Sequence, residues 1–216
     1  MTSAPLRIVL VHGIATSGAV WARLVERLGE HDVLALDRPR TGALVEEVAW
    51  LAPRVRGAWV VGMSGGATLA LALAAAGVPL AGVVAHEPAA GSLAPTLLAP
   101  VGAAFAAGGT RSLARTLYGP SWTPALAGPG SEEVLDDAVT ARELAMFRSF
   151  EPGPSSAACG PVVVTTGALS PAGRHDAAAA LAPVVGAELV VVPGAGHLAA
   201  HDAPDAFADV VRRLVR

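Results

Sequence analysis

The chain has 216 residues, enough for one domain with a full hydrophobic core and short for two. Hydrophobic residues make up 53% and charged residues 15%, which excludes a disordered chain, and a net charge of -3 leaves no electrostatic footprint for nucleic acid. There is no Lys, Asn or Gln, which excludes a Walker-type phosphate loop and lysine-based covalent chemistry.

Short apolar, largely β-branched runs recur at 8–11, 33–36, 59–61, 80–85, 162–164 and 189–192, each bounded by Gly, Pro or a charged turn. Runs without alternation are what a parallel sheet covered on both faces requires. Helical patterns lie between them at 19–28, 43–52, 66–76, 174–182 and 204–215. In the last, Phe207, Val210, Val211 and Leu214 fall on one helix face. The alternation predicts an α/β class with right-handed crossovers. Residues 57–85 carry no charge, but Gly62, Ser64-Gly65-Gly66 and Gly77-Val78-Pro79 punctuate them, so they read as strand, helix and strand rather than a membrane span. The run at 8–11 is too short for a signal-peptide core. Cys159, the single cysteine, can form neither an internal disulfide nor a multi-thiol zinc site. A soluble, cytoplasmic protein is expected, with a small-molecule substrate and with no nucleic-acid or membrane partner.

Residues 89–158 break the rhythm. They hold Pro-Gly clusters and helical patterns at 92–107, 110–118 and 131–149, the last opened by Ser131 ahead of Glu132 and Glu133. An insertion this long between core strands covers or gates a site, so it reads as a helical cap on a single domain spanning 1–216.

Gly62-Met63-Ser64-Gly65-Gly66 sits directly between a strand and a helix. A serine on such a turn must adopt a strained backbone, tolerable only with small residues two before and two after. The turn pushes the hydroxyl out at the sheet edge and sets the Gly65 N–H at a helix N-terminus, where developing negative charge is favoured. A phosphate loop of a dinucleotide fold, with Glu87 as its ribose carboxylate, is the rival reading. It lacks the middle glycine and follows the third strand rather than the first. His12-Gly13 follows the first strand, and Pro193-Gly194-Ala195-Gly196-His197 follows the last. A histidine in a Gly-rich loop at a strand's C-terminal end can reach an exposed serine as its general base.

These residues, with Val9-Leu10-Val11 ahead of His12, Trp21 downstream, and Pro204 and Phe207 near the end, make the chain resemble the α/β-hydrolase superfamily. The resemblance implies Ser64 as nucleophile, His197 as base, and an oxyanion hole from the backbone N–H groups of Ile14 and Gly65. It implies a three-layer fold, here with six strands, all or nearly all parallel, because the chain starts at the strand leading to His12-Gly13 and the two antiparallel strands that usually open the fold are expected to be missing. Two further departures stand out. Gly65 replaces a larger residue, and Ser170 occupies the slot after the fifth strand where the family commonly carries Asp. Some branches, certain haloalkane dehalogenases among them, place the acid after the preceding strand, which points to Glu87 in His86-Glu87-Pro88; Asp176, Asp37 or no acid at all are the alternatives. His12 is expected to brace the Ile14 loop, His86 to end a strand, and His175 and His201 to lie on the surface. Phe105, Tyr118, Trp122, Met146 and Phe147 belong to the core of the cap or line its pocket.

The expected function is cofactor-free, metal-free hydrolysis of an ester, thioester or lactone of a small apolar substrate. A non-hydrolytic lyase, cyclase or perhydrolase-like enzyme on the same scaffold, or a ligand-binding protein without turnover, are the rivals.

Overall fold

The computed structural model describes residues 6–129 and 135–215. Six strands, β1 (Arg7–Val11), β2 (Asp32–Leu36), β3 (Trp59–Met63), β4 (Gly82–His86), β5 (Val162–Gly167) and β6 (Glu188–Val192), form one sheet in the order β2-β1-β3-β4-β5-β6. Every neighbouring pair is parallel, as the apolar runs predict. The chain leaves β1 toward β2 and then returns to β3 on the other side. This reversal opens a crevice at the C-terminal ends of β1 and β3, the place where open α/β sheets bind ligands.

The described helices are α1 (Ala22–Arg27), α2 (Leu44–Val55), α3 (Gly65–Ala75), α4 (Ala99–Tyr118), α5 (Asp137–Arg148), α6 (Ala172–Val185), α7 (Ala199–Asp202) and α8 (Pro204–Leu214). Right-handed crossovers put α1 on the face opposite α2, α3 and α6. α8 packs on α1, and α2 packs on α3. α3 is buried from Gly65 to Ala74, which explains why its sequence is apolar all round. Among the described residues no helix is long and apolar enough to cross a membrane.

The expectation of strands covered on both faces holds for β1 beyond Arg7 and for β3, β4 and β5. It does not hold at the edges. Leu34 of β2 and Leu189 and Val191 of β6 keep 38%, 40% and 49% of their surface exposed, because the helical layers do not reach over the outer strands. The fourth strand is shifted from the expected 80–85. Leu80 makes only an isolated bridge to Cys159, and the regular ladder runs from Gly82 to His86, which delivers Glu87 directly to the C-terminal edge.

Between β4 and β5 the described residues hold no strand. The two helices expected at 92–107 and 110–118 are one element, α4, bent at Gly108 (φ -160) and Gly109 (φ 64). A left-handed glycine breaks the helix there, and the Asp137 carboxylate restarts it by accepting from the Thr110 N–H at 2.8 Å and the Thr110 hydroxyl at 2.7 Å. Residues 92–98 form a 3-10 turn and connections instead of helix. The start proposed at Ser131 lies outside the described residues. α5 itself opens at Asp137, where Asp136 accepts from the Val139 N–H at 2.9 Å.

Candidate active site

Ser64 sits between β3 and α3 with φ 57 and ψ -123, a left-handed conformation that a serine adopts only under constraint. The constraint is visible in its neighbours. A Cβ on Gly62 would lie 2.3 Å from the Gly66 carbonyl oxygen, and one on Gly66 would lie 1.9 Å from that of Val11. Strand end, helix start and β1 are pressed together closely enough that only glycine fits at both positions. Gly65 has a different reason. A Cβ there would meet the Phe147 ring at 2.4 Å, so a phenylalanine from α5 fills the volume that a larger residue would take. This departure from the family pattern is thus a compensated exchange between the turn and the inserted helix.

Ile14 and Gly65, the two expected oxyanion donors, line the same small cavity as Ser64 and Glu87. Among the described residues, neither donates to a protein acceptor. The loop that presents Ile14 is braced by His12, as expected: its Nδ1–H donates to the Gly13 carbonyl at 2.8 Å. Burial, reinforced by Arg38 and Arg40, holds the His12 pKa well below its ordinary value, so the ring is neutral.

His197 and Glu87 meet across the sheet edge. His197 Nδ1 lies 2.7 Å from Glu87 Oε2, with both groups buried. Glu87 is itself on a tight turn (φ 49), its N–H bonded to the Thr165 carbonyl and its Oε1 accepting from the Gly167 N–H at 2.9 Å. Burial opposes the charge on Glu87, but the bond from His197, the nearby His86 and the Ser170 hydroxyl outweigh it and hold its carboxyl well below the usual carboxylate range. Ser170 therefore stands in the family's acid slot and faces the carboxylate that has come from β4 instead. The His197 pKa is pushed down to about 4, first by burial and then by the Arg174 guanidinium, against the pull of Glu87. The imidazole is thus neutral at pH 7, and its Nε2 is buried with no hydrogen-bond partner. A neutral imidazole with Nδ1 held by a carboxylate and Nε2 open is poised to accept a proton.

The alternative acids are elsewhere. Asp176 is exposed on α6, and Asp37 is an exposed turn residue accepting from the Gly18 N–H at 2.7 Å. His86 ends its strand and also holds the base loop, with Nε2 bonded to the Gly196 carbonyl at 3.0 Å and Nδ1 to Thr165 Oγ1 at 3.0 Å. His175 and His201, expected on the surface, are half-buried; His175 Nδ1 is 3.2 Å from the Thr166 hydroxyl.

Of three further site residues, the first is expected from sequence only as cap core or pocket wall, and the other two escape the sequence reading. Tyr118, the sole tyrosine, stacks on His197 with ring centroids 5.4 Å apart and donates its hydroxyl to the Ile14 carbonyl at 2.7 Å. Its hydroxyl also neighbours the Ser64 side chain, and burial pushes its pKa up to about 12. The only signal in the sequence is its place at the end of a helical pattern before Gly119-Pro120. Arg174 places Nε 3.7 Å from Glu87 Oε2 and donates to the Glu87 carbonyl at 3.4 Å; nothing in its local sequence marks it. Arg38 is the third, in the turn after β2.

Two cavities meet at this site. The inner one, of about 20 Å³, is lined by Ile14, Ser64, Gly65 and Glu87 under apolar side chains that include Leu144 and Phe147. The outer one, of about 570 Å³, is walled by Leu93, Leu97, Pro100 and Thr116 and reaches His197. Val101, Leu117 and Arg174 border both.

The Alpha/beta hydrolase family matches residues 8–210. No curated protein matches the chain in sequence. Among solved structures, a thermophilic esterase from Thermogutta terrifontis superposes with a TM-score of 0.71 at 20% identity, covering 100% of this chain and 91% of that one. A lipase-esterase related protein from Clostridium acetobutylicum gives 0.75 at 13% identity, covering 98% and 95%. An enol-lactonase from Burkholderia xenovorans gives 0.69 at 20% identity, covering 99% and 92%. At these identities the likeness shows the fold.

Proposed function

The chain belongs to the α/β-hydrolase family, and from that premise we propose that it is a cofactor-free serine hydrolase cleaving an ester, thioester or lactone of a small apolar substrate. Ser64 Oγ attacks the carbonyl carbon while His197 Nε2 takes its proton. The N–H groups of Ile14 and Gly65 stabilise the oxyanion, and Glu87 holds the imidazole and then the imidazolium. Collapse expels the alcohol or thiol, protonated by His197, and water attacks the acyl-enzyme by the reverse proton path. The inner cavity is small enough to hold little beyond the reacting carbonyl, and the apolar outer cavity accommodates the rest of the substrate. Residues 89–158 act as the cap: Tyr118, Leu144 and Phe147 all reach the site from this segment. An esterase and an enol-lactonase among the structural neighbours fit the same class. The composition and single cysteine suit a cytoplasmic enzyme.

The observation that carries this reading is the 2.7 Å contact of His197 Nδ1 with Glu87, which leaves Nε2 buried and open on a neutral ring. Intact-mass labelling with a fluorophosphonate tests it. The native chain should take one adduct with loss of fluoride, and Ser64→Ala and His197→Ala should take none. A native chain that stays unlabelled refutes the hydrolase reading and directs attention to non-hydrolytic chemistry or ligand binding.

A further inference from the structure

The loop that carries Ile14 is held in an unusual way. Each carbonyl from His12 to Thr16 accepts a hydrogen bond from a side chain. Arg38 Nε donates to His12 at 3.1 Å; Arg38 Nη2, Thr16 Oγ1 and His12 Nδ1 all donate to Gly13, at 3.1, 3.1 and 2.8 Å. Tyr118 takes Ile14, Trp122 Nε1 takes Ala15 at 3.1 Å, and Arg40 takes Thr16. A peptide plane is rigid, and its C=O and N–H point in opposite directions. Three donors on the Gly13 carbonyl therefore fix the direction of the next N–H, that of Ile14, a residue that lines the cavity beside Ser64.

Among the described residues, Arg38 holds two successive carbonyls, those of His12 and Gly13. Its planar fork suits that task, and the side chain is fully buried. It is itself held from two sides. Glu143 of α5 forms an ion pair with Nη2, and Glu47 of α2 lies 3.5 Å from Nη1. The Phe147 ring lies 5.7 Å from the guanidinium carbon, one helical turn beyond Glu143, and Phe147 also packs on Gly65, the other oxyanion donor. Burying these charges is costly and contributes little net stability. The arrangement is better explained by what it orients.

We propose that Arg38 is a positioning residue for the oxyanion hole, and that Glu143 on the inserted helix α5 holds it in place, so that the aim of the Ile14 N–H depends on the seating of α5 over the sheet. The inference rests on the serine-hydrolase reading and deepens it. Removing one oxyanion donor costs about 10²–10³ in kcat, so misaiming one should cost about 10- to 100-fold.

Arg38→Met alone strands the Glu143 and Glu47 carboxylates, so the decisive variant combines Arg38→Met with Glu143→Leu and with Glu47→Gln, which keeps an oxygen for the Thr41 N–H. Replacing both partners of a buried ion pair by apolar groups is commonly neutral or stabilising. The combined variant should recover the native melting temperature yet keep the loss in kcat on 4-nitrophenyl butyrate, with KM changed less than about threefold. Binding of a trifluoromethyl ketone, whose adduct places an oxyanion in the hole, should weaken by the same factor as kcat falls. Recovery of kcat together with stability in the combined variant would show that Arg38 serves the fold alone and would overturn the proposal. So would an unchanged ketone affinity. A native chain that takes no fluorophosphonate adduct would overturn the hydrolase reading and this inference with it, whereas labelling at Ser64 with unaffected Arg38 variants overturns only this inference.

Discussion

Replacing Glu87 by Gln changes one atom type at the centre of the site and keeps its size. In the native chain Glu87 accepts twice, from His197 Nδ1 at 2.7 Å and from the Gly167 N–H at 2.9 Å. An amide has one oxygen and one NH2, so it can satisfy only one of these donors. With its oxygen toward Gly167, the NH2 faces His197 and forces the tautomer whose Nε2 carries the proton, which cannot act as a base. With its oxygen toward His197, the NH2 opposes the Gly167 N–H in a buried site. The first arrangement avoids the buried donor–donor clash and is expected. Wrong-tautomer substitutions of this kind lower kcat about 10⁴-fold, equivalent to about 5.5 kcal/mol of transition-state stabilisation. The Arg174 guanidinium, deprived of the carboxylate at 3.7 Å, should further disfavour the imidazolium that forms during reaction. The assay is kcat on an activated ester alongside the fluorophosphonate labelling rate, and both should fall together. Thermal stability supplies an internal check. The carboxyl of Glu87 titrates in the folded chain well below its ordinary value of 4.5, so its charge adds stability above about pH 4.5 that is lost as pH falls through the lower native value. The gap in melting temperature between native and Glu87→Gln should therefore narrow below pH 4.5. A Glu87→Gln enzyme within about tenfold of native kcat would refute the assignment of Glu87 as the acid.

Three further outcomes follow from the same geometry. With the His197 pKa pushed down to about 4, kcat/KM should be level through neutral pH and fall on an acid limb near that value; Arg174→Gln should move the limb upward by removing the cation, and a native limb at the ordinary 6.5 would contradict the burial argument. The same shift makes stability decline as pH drops from 6.5 toward 4, because the unfolded chain binds the proton that folded His197 resists. Gly65→Ala would place a Cβ 2.4 Å from the Phe147 ring and should destabilise the chain by about 1–3 kcal/mol in urea unfolding. In a Phe147→Ala background the same change should cost less than about 0.5 kcal/mol, and strict additivity would show that the two positions do not share that volume.

The sequence by itself determined the sheet, the serine turn and the Gly-rich loop that carries His197. Fully apolar strands can be buried only in a parallel sheet with helical cover, and Gly62 and Gly66 flank Ser64 because backbone contacts leave no room for a Cβ. These are local demands, and local pattern reveals them. The carboxylate partner of His197 was legible in part. The missing Asp at Ser170 and the Glu at the end of the preceding strand pointed to Glu87, but only the three-dimensional structure shows its carboxylate reaching His197 and excludes Asp176 and Asp37 from that contact. Tyr118, Arg174, Arg38 and Glu143 were decided by tertiary structure alone. Their partners lie far away in the chain, as with Tyr118 and Ile14 or Arg38 and Glu143. Their residue types carry no pattern until the inserted helices are laid against the sheet edge. The edge strands were likewise out of reach, since an apolar run looks the same in sequence whether a helix covers it or solvent does.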